Sequence, residues 1–334
     1  MAEAYGMWPL NVCQIGREAT PGTAVAATTI WRGPFGGWDD DRQTEEIAED
    51  VGTFGFTERT VDTFYGAKIP FPSAVAHYEQ LLYLHSGSVG EVSPTGSSPY
   101  IYSYAASLGD TPNTLKAHTL RVGNVQVSTD LGLFTRAYPM EWELSGNQKE
   151  TWKISGTWTA PRKESGSFTA GLSLPSWNPM VFGKSKLYID AEGGTIGTTQ
   201  KTGVLMGFSL KYDPQLEWVP VGDGNLYAIA YKISRPVITF TLTLEVEENS
   251  GVSAVAVQRA AYEAKTIQQF RISCTDSANL NMVMDFAGQY TKVGAYQKSG
   301  NNNTTCQFEG KVLYSSTAAL FYENVITCGL SAIT

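Results

Sequence analysis

Cysteine is scarce in this chain and does not cluster. Cys13, Cys274, Cys306 and Cys328 are the whole set, and no two of them form a CxxC pair. Metal centres and redox motifs need ligands at short spacing, so four buried apolar thiols are expected and no cofactor. Histidine is scarcer still: His77, His85 and His118. His77 and His85 share a side of a predicted helix, yet no acid or cysteine stands at ligand spacing from them. Long apolar runs are missing as well, and none approaches the roughly 20 residues of a membrane-spanning helix. The opening Met1 to Gly6 lacks the basic and apolar regions of a signal peptide. A soluble protein with no membrane contact is expected. A Gly-x-Ser-x-Gly elbow and a phosphate-binding Gly-rich loop before a helix are absent too, and no enzyme is expected.

Basic residues are outnumbered, 24 against 32 acids, leaving a net charge of -8. That argues against a surface gripping nucleic acid through clustered Lys and Arg. It does not argue against an acidic wall past which DNA slides without sticking. Paired carboxylates can also run glycoside hydrolysis, but Glu245 and Glu247 read as the wet face of a strand.

What the sequence has in quantity is aromatics, at 12%, and 33 glycines, with recurrent Thr and Val: the composition of strands separated by turns. The clearest strand runs 237–247, with Ile238, Phe240, Leu242, Leu244 and Val246 on one face and Thr239, Thr241, Thr243, Glu245 and Glu247 on the other. A second runs 151–158, with Trp152, Ile154 and Trp158 on a common side. Gly222, Asp223, Gly224 and Asn225 form a Gly-rich hairpin loop. Two short helices are expected. One spans about 73–86, with Val75, Tyr78, Leu82 and His85 in register; the other spans about 252–266, with a stripe of Val257, Ala260, Ala261 and Ala264.

Both helices open on Ser-Ala-Val-Ala, and each is followed by related segments, Ser145 to Gly156 and Ser299 to Gly310, in which Ile154 aligns with Phe308. A duplication is inferred. The loop-rich stretch 160–185, with Pro161, Pro175 and Pro179, is its junction, giving domains 1–165 and 166–334. The glycosylation-like triplets at Asn302 and Asn303 read as a strand-connecting turn.

The segment 15–33 carries Gly16, Glu18, Thr20, Pro21, Gly22 and Thr23 in a Gly-x-Glu-x-Thr-x-Gly-Thr run, in which Thr20, Pro21 and Gly22 make a turn. This run resembles the amino-terminal signature of siphophage major tail tube proteins, specifically over about the first thirty residues and only architecturally beyond. The resemblance implies a mainly β chain of two tandem tail-tube-type β-sandwich or barrel domains, each with one short helix. It further implies rings around a central β-barrel channel that stack into a hollow conduit for phage DNA. A double-domain chain implies trimeric rings of pseudo-sixfold symmetry, with a hexamer as alternative. The implied partners are further copies of the chain, the tape measure protein, the tail terminator and the distal tail proteins, with double-stranded DNA passing through unbound. The implied location is the virion tail, after synthesis in the host cytoplasm.

Stacking needs a projecting element. The segment 36–50 holds seven acids and one base. It is expected to be a long loop, within about 34–54, that orders between rings, with Trp38 as anchor and Asp39, Asp40, Asp41, Glu45 and Glu46 supplying charge. Some of these acids are alternatively lumen-facing. Two competing readings remain: a carbohydrate-binding or host-recognition β-sandwich using exposed aromatics such as Trp38, Trp142 and Trp177, and a β-sandwich hydrolase.

Overall fold

A computed structural model describes residues 7–49, 52, 59–127, 130–246, 248–249, 252–298 and 304–333. Its principal strands are β1 (Asn11–Arg17), β2 (Ala67–Val75), β3 (Tyr100–Ala105), β4 (His118–Asn124), β5 (Leu131–Asn147), β6 (Lys153–Ala160), β7 (Ser185–Ala191), β8 (Leu205–Asp213), β9 (Val237–Glu245), β10 (Gln268–Ser277), β11 (Leu280–Lys298), β12 (Thr304–Val312) and β13 (Tyr322–Cys328). The helices are α1 (Tyr78–Ser88) and α2 (Ala254–Glu263). All these strands join one 16-stranded sheet whose pairings are antiparallel and which does not close on itself among the described residues. The chain is thus mainly β, as its composition suggests, and its described strands form an open sheet within one copy.

Alternation builds the sheet. In β9, Ile238, Phe240, Leu242 and Leu244 are buried while Thr239, Thr241, Thr243 and Glu245 are half-exposed; Glu247 lies outside the described residues. In and beside β6, Trp152, Ile154 and Trp158 are buried together. Pairing carries this alternation across strands. Phe308, Leu242, Phe208 and Gly146 make one row of cross-strand partners facing the core, and Glu309, Thr241, Ser209, Ser145 and Lys153 make the next row facing out.

Both halves use one strand order. Asp39–Asp40, β2, β6 and β5 lie side by side in the first half. In the second half the neighbours are β8, β9, β12 and β11. The two quartets meet where β5 pairs with β8, from Gly207↔Asn147 to Tyr212↔Trp142. Each long strand, β5 or β11, also pairs through its first part with the strand before it, β4 or β10, which in turn pairs with β1 or β7. Packing repeats as well. A Cβ on Gly156 would meet the Phe71 ring at 2.7 Å, and one on Gly310 would meet the Phe240 ring at 2.3 Å, so each glycine makes room for an aromatic of the neighbouring strand. Of the aligned segment 299–310, residues 299–303 lie outside the described residues. The stretch 167–180 packs on the first half: Thr169 exchanges hydrogen bonds with Gln14, at 2.7 and 3.0 Å, and Asn178 donates to Glu79 at 2.9 Å.

Helix α1 starts at Tyr78, not near Ser73. Residues 73–75 finish β2, which accommodates Pro70 and Pro72 while Ala67, Ile69 and Phe71 alternate into the core. All eleven residues of α1 are buried, so it is a core helix with no wet face. Its polar side chains are accordingly satisfied: Gln80 donates to the Arg32 carbonyl at 2.9 Å, Ser88 to the Leu84 carbonyl at 2.7 Å, and Ser88 accepts from Trp142 at 3.0 Å. In α2 the buried positions are Val255 and Gln258. Val257, Ala260 and Ala264 are exposed, because Tyr262 and Val255 pack on the core instead. Gly222 to Asn225 lie within a longer connection between Leu216–Val219 and Ala230–Ile233 and do not close a tight hairpin.

The four cysteines are free and buried, and burial pushes the Cys13 thiol up strongly and Cys328 up to about 11. His85 and His118 are core residues whose imidazoles burial pushes down to about 4 and about 3. An unfolded imidazole protonates near 6.5. Between that value and the folded ones the unfolded chain binds protons that the folded chain refuses. Stability therefore falls as pH drops below about 6.5, by roughly 1.4 kcal/mol per pH unit for each ring. Urea denaturation at pH 7 and pH 5 is expected to show this loss, and His118→Gln to reduce it; an unchanged slope in the variant would contradict the assignment.

Candidate assembly interface

The amino-terminal motif is held by a buried carboxylate. Glu18, just past β1, is buried, and its Oε2 accepts the Gly22 N–H at 2.6 Å. Its Oε1 accepts the Thr119 hydroxyl at 2.9 Å and the Arg136 N–H at 2.8 Å. The Thr23 N–H donates to the Thr20 carbonyl at 3.0 Å, which closes the turn. Gly22 has φ +87°, and a Cβ there would sit 3.0 Å from the Arg136 guanidinium, which itself donates to the Pro21 carbonyl at 3.0 Å. Gly16 lies so close to the Ala26 carbonyl that a Cβ would meet it at 2.6 Å. Thr20, Pro21, Gly22 and Thr23 are exposed. The motif thus combines a buried anchor with a presented turn.

The second half holds a counterpart that the sequence reading missed. Past β7, Thr195, Ile196, Gly197 and Thr198 repeat the Thr-x-Gly-Thr string. Gly197 has φ +85°, and its N–H donates to the buried carboxylate of Asp190 at 2.7 Å. Thr198 Oγ1 and Thr199 N–H donate to the same carboxylate, each at 2.8 Å. Here too an arginine, Arg271, occupies the space where a Cβ would project. Burial alone would raise the Asp190 pKa, but the hydrogen bonds from Thr199, Thr198 and Gly197 outweigh it and hold the carboxyl below its usual range.

The acidic segment forms one margin of the sheet. Asp39 and Asp40 pair with Lys68 and Ala67 of β2 on one side, and no strand lies beyond them among the described residues. Gln43–Glu46 and Thr60–Phe64 make a two-stranded arm that is largely exposed. Arg42 bridges Asp40 and Asp62, and Lys68 binds Asp41 at 3.0 Å. Asp39, Glu45 and Glu46 have no cation within ion-pair distance among the described residues. Trp38 packs inward on Phe134, with ring centroids 5.8 Å apart, and carries the Lys163 ammonium 4.2 Å above its ring. Asp50 and the loop residues 51 and 53–58 lie outside the described residues.

A second arm shows what such an element does. Leu216–Val219 and Ala230–Ile233 occupy the matching place after β8. Leu216, Trp218, Tyr231 and Ile233 pack on Leu115, Ala117 and Tyr138 of the first half. Trp218 donates to Thr159 at 2.8 Å, and beyond the strands Arg162 stacks 3.9 Å over Tyr227. This arm straps the second quartet onto the first.

At the opposite margin, the far part of β11 pairs with β12 alone among the described residues. The corresponding part of β5 is paired on both sides, by β6 and β8. Tyr296 on this margin is 56% exposed beneath the Arg259 guanidinium, at 4.5 Å. Between the margins, the outward face of the sheet carries Ser, Thr and opposed charges, including Lys211 with Glu141 at 2.6 Å and Lys292 with Glu309 at 2.7 Å.

Trp142 and Trp177, read from sequence as exposed aromatics, are buried. Trp142 sits under α1 and Trp177 against His77 and Tyr83. No group of three or more His, Cys, Asp or Glu stands in a metal-holding arrangement among the described residues, and no described helix is long and apolar enough to cross a membrane. No protein-family model matches the chain, and no curated protein matches it.

Removing either buried carboxylate leaves the N–H and hydroxyl groups that converge on it without their acceptor. Glu18→Ala and Asp190→Ala are each expected to lower stability by about 1–3 kcal/mol, read from urea denaturation midpoints. The Asp190 contribution is present above the ordinary Asp value of about 3.9 and is lost as pH falls through the lower folded value, so Asp190→Ala and the native chain should converge in strong acid.

Proposed function

We propose that the chain is a self-assembling structural subunit whose copies join sheet margin to sheet margin into rings, and specifically the major tail tube subunit of a long, non-contractile phage tail. One observation carries the reading: the quartet of strands occurs twice, the two copies are sealed at β5 and β8, and the equivalent outer margins have no strand partner among the described residues. A free strand margin has unmet backbone donors and acceptors. The internal seam is a template for meeting them with another copy of the same chain. Because one end resembles half of the seam and the other end resembles the other half, contact is head to tail, which closes into a ring when the rotation permits.

In that ring the helix-free outward face lines the channel, and α1 and α2 lie behind the sheet. A wall of Ser, Thr and locally neutralised Lys–Glu pairs suits passage of DNA without adhesion. Two quartets per chain favour a trimeric ring imitating six units, with the hexamer as alternative. The amino-terminal motif supports the tail tube assignment, and the Thr-x-Gly-Thr repeat after β7 extends that support to the second half. Stacked rings would meet the tape measure, terminator and distal tail proteins within a virion. The carbohydrate-binding alternative loses the exposed Trp142 and Trp177 that suggested it.

Negative-stain microscopy of the purified protein across a concentration series is expected to show rings and then hollow rods. Compact particles without a central hole at every concentration would overturn the reading.

A further inference from the structure

The two free margins differ in charge, in the sense opposite to the Lys211–Glu141 pair that crosses the internal seam. At the seam the β5 side presents Glu141 and Glu143, and the β8 side presents Lys211 with Asp213 at its end; Lys211, opposite Glu143 in register, binds Glu141 across the seam at 2.6 Å. At the free margin beside β2, residues 33–46 hold five carboxylates, Asp39, Asp40, Asp41, Glu45 and Glu46, and one guanidinium, Arg42. At the free margin of β11, residues 291–298 hold Lys292 and Lys298 and no acid, with Arg259 alongside. Glu309 on β12 answers Lys292 at 2.7 Å, and Lys298 has no ion pair among the described residues. The margin equivalent to the Lys211 side of the seam is therefore acidic, and the margin equivalent to its Glu141 and Glu143 side is basic.

We infer that the acidic margin and arm of one copy engage the basic far part of β11 on the next copy, and that this reversed charge code makes assembly head to tail and single-registered. The inference rests on the ring reading above and deepens it. It assigns the acidic segment to lateral contact between neighbours in a ring. Its partner is a second copy of this chain.

The code works mainly by exclusion. Two β11 margins would oppose Lys292 and Lys298 to themselves, and two acidic margins would oppose Asp39, Glu45 and Glu46 to themselves. Both symmetric pairings, which would end in closed dimers, bring like charges together. A β8 margin that left its seam would meet Lys211 against Lys292 at the β11 margin. The pairing that remains attractive is the one that propagates. The arm after β8 indicates how the contact is completed, since it reaches from its own quartet onto the neighbouring one. The exposed acidic arm after Asp39–Asp40 reaches onto the next copy in the same sense. In the isolated chain, Pro34, Gly33, Gly36 and Gly37 keep the approach to this margin irregular and Asp39, Asp40 and Asp41 keep it charged, which suppresses non-specific strand addition.

The test is charge exchange in the full chain. K292E/K298E is expected to stay folded, with native circular dichroism and a thermal midpoint lowered only by the exchange of the exposed Lys292–Glu309 pair for two like charges, and to lose ring and tube formation at least ten-fold in critical concentration. Adding D39K/E45K to that chain is expected to restore assembly. The four-fold variant, mixed with native protein, should form separate assemblies, because each of its margins now repels the native counterpart. Assembly by K292E/K298E at the native concentration, failure of the four-fold variant to recover, or free co-assembly with native protein would each overturn the charge code. All three leave the ring reading standing as long as the native chain forms rings. If the native chain forms none, that reading fails and the charge code fails with it.

Discussion

A strand satisfies its outward N–H and C=O groups only by finding a neighbour, and much of this structure follows from where neighbours are found and where they are not. The seam between β5 and β8 meets that demand within one chain. It is also sealed by packing, since Trp142 and Tyr212 stack across it with ring centroids 5.4 Å apart. Because both quartets lie on one side of a common apolar core, α1 can be buried on every side while its polar groups bond to backbone and to Trp142. Among the described residues the same demand is unmet at the far part of β11 and beside Asp39–Asp40, which is why the functional reading centres on margins and not on a cleft.

The two buried carboxylates express a related constraint on a smaller scale. A turn placed over the end of a sheet must satisfy consecutive N–H groups that no strand can reach. Asp190 does this from within β7, taking the Gly197 and Thr199 N–H groups, whereas Glu18, the residue after β1, takes the Gly22 N–H of its turn and ties it to Thr119 and Arg136. Each charge loses water on burial, and each recovers the loss through at least three hydrogen bonds. The glycine at the third position of Thr-x-Gly-Thr is required twice over, by its positive φ and by an arginine lying where a side chain would go.

Some of this was legible in the residues. Alternation in 237–245 identified β9 and its buried face, because a strand with one wet side must alternate. Trp152, Ile154 and Trp158 were placed on one side for the same reason. Helix α1 starts later than the sequence suggests, because Pro72 resembles a helix opening locally whereas pairing with β6 holds residues 74–75 in the sheet. Trp142 and Trp177 could not be located from composition, since burial of an aromatic depends on which distant strand or helix covers it. The second Thr-x-Gly-Thr was visible but its carboxylate stands five residues before Thr195 instead of two, so spacing concealed the likeness. The seam itself pairs residues some sixty positions apart, and no local pattern specifies register at that range.

Covalent fusion through the β5–β8 seam also changes how an assembly would begin. Copies joined only by association lose translational freedom at every contact. Here every second contact is made during folding, at an effective concentration set by the polypeptide itself and not by how much protein is present. Ring nucleation in the proposed assembly would therefore require half as many encounters as separate quartets would need. Its rate would rise less steeply with dilution reversed, and fewer partial arcs would accumulate on the way to closure.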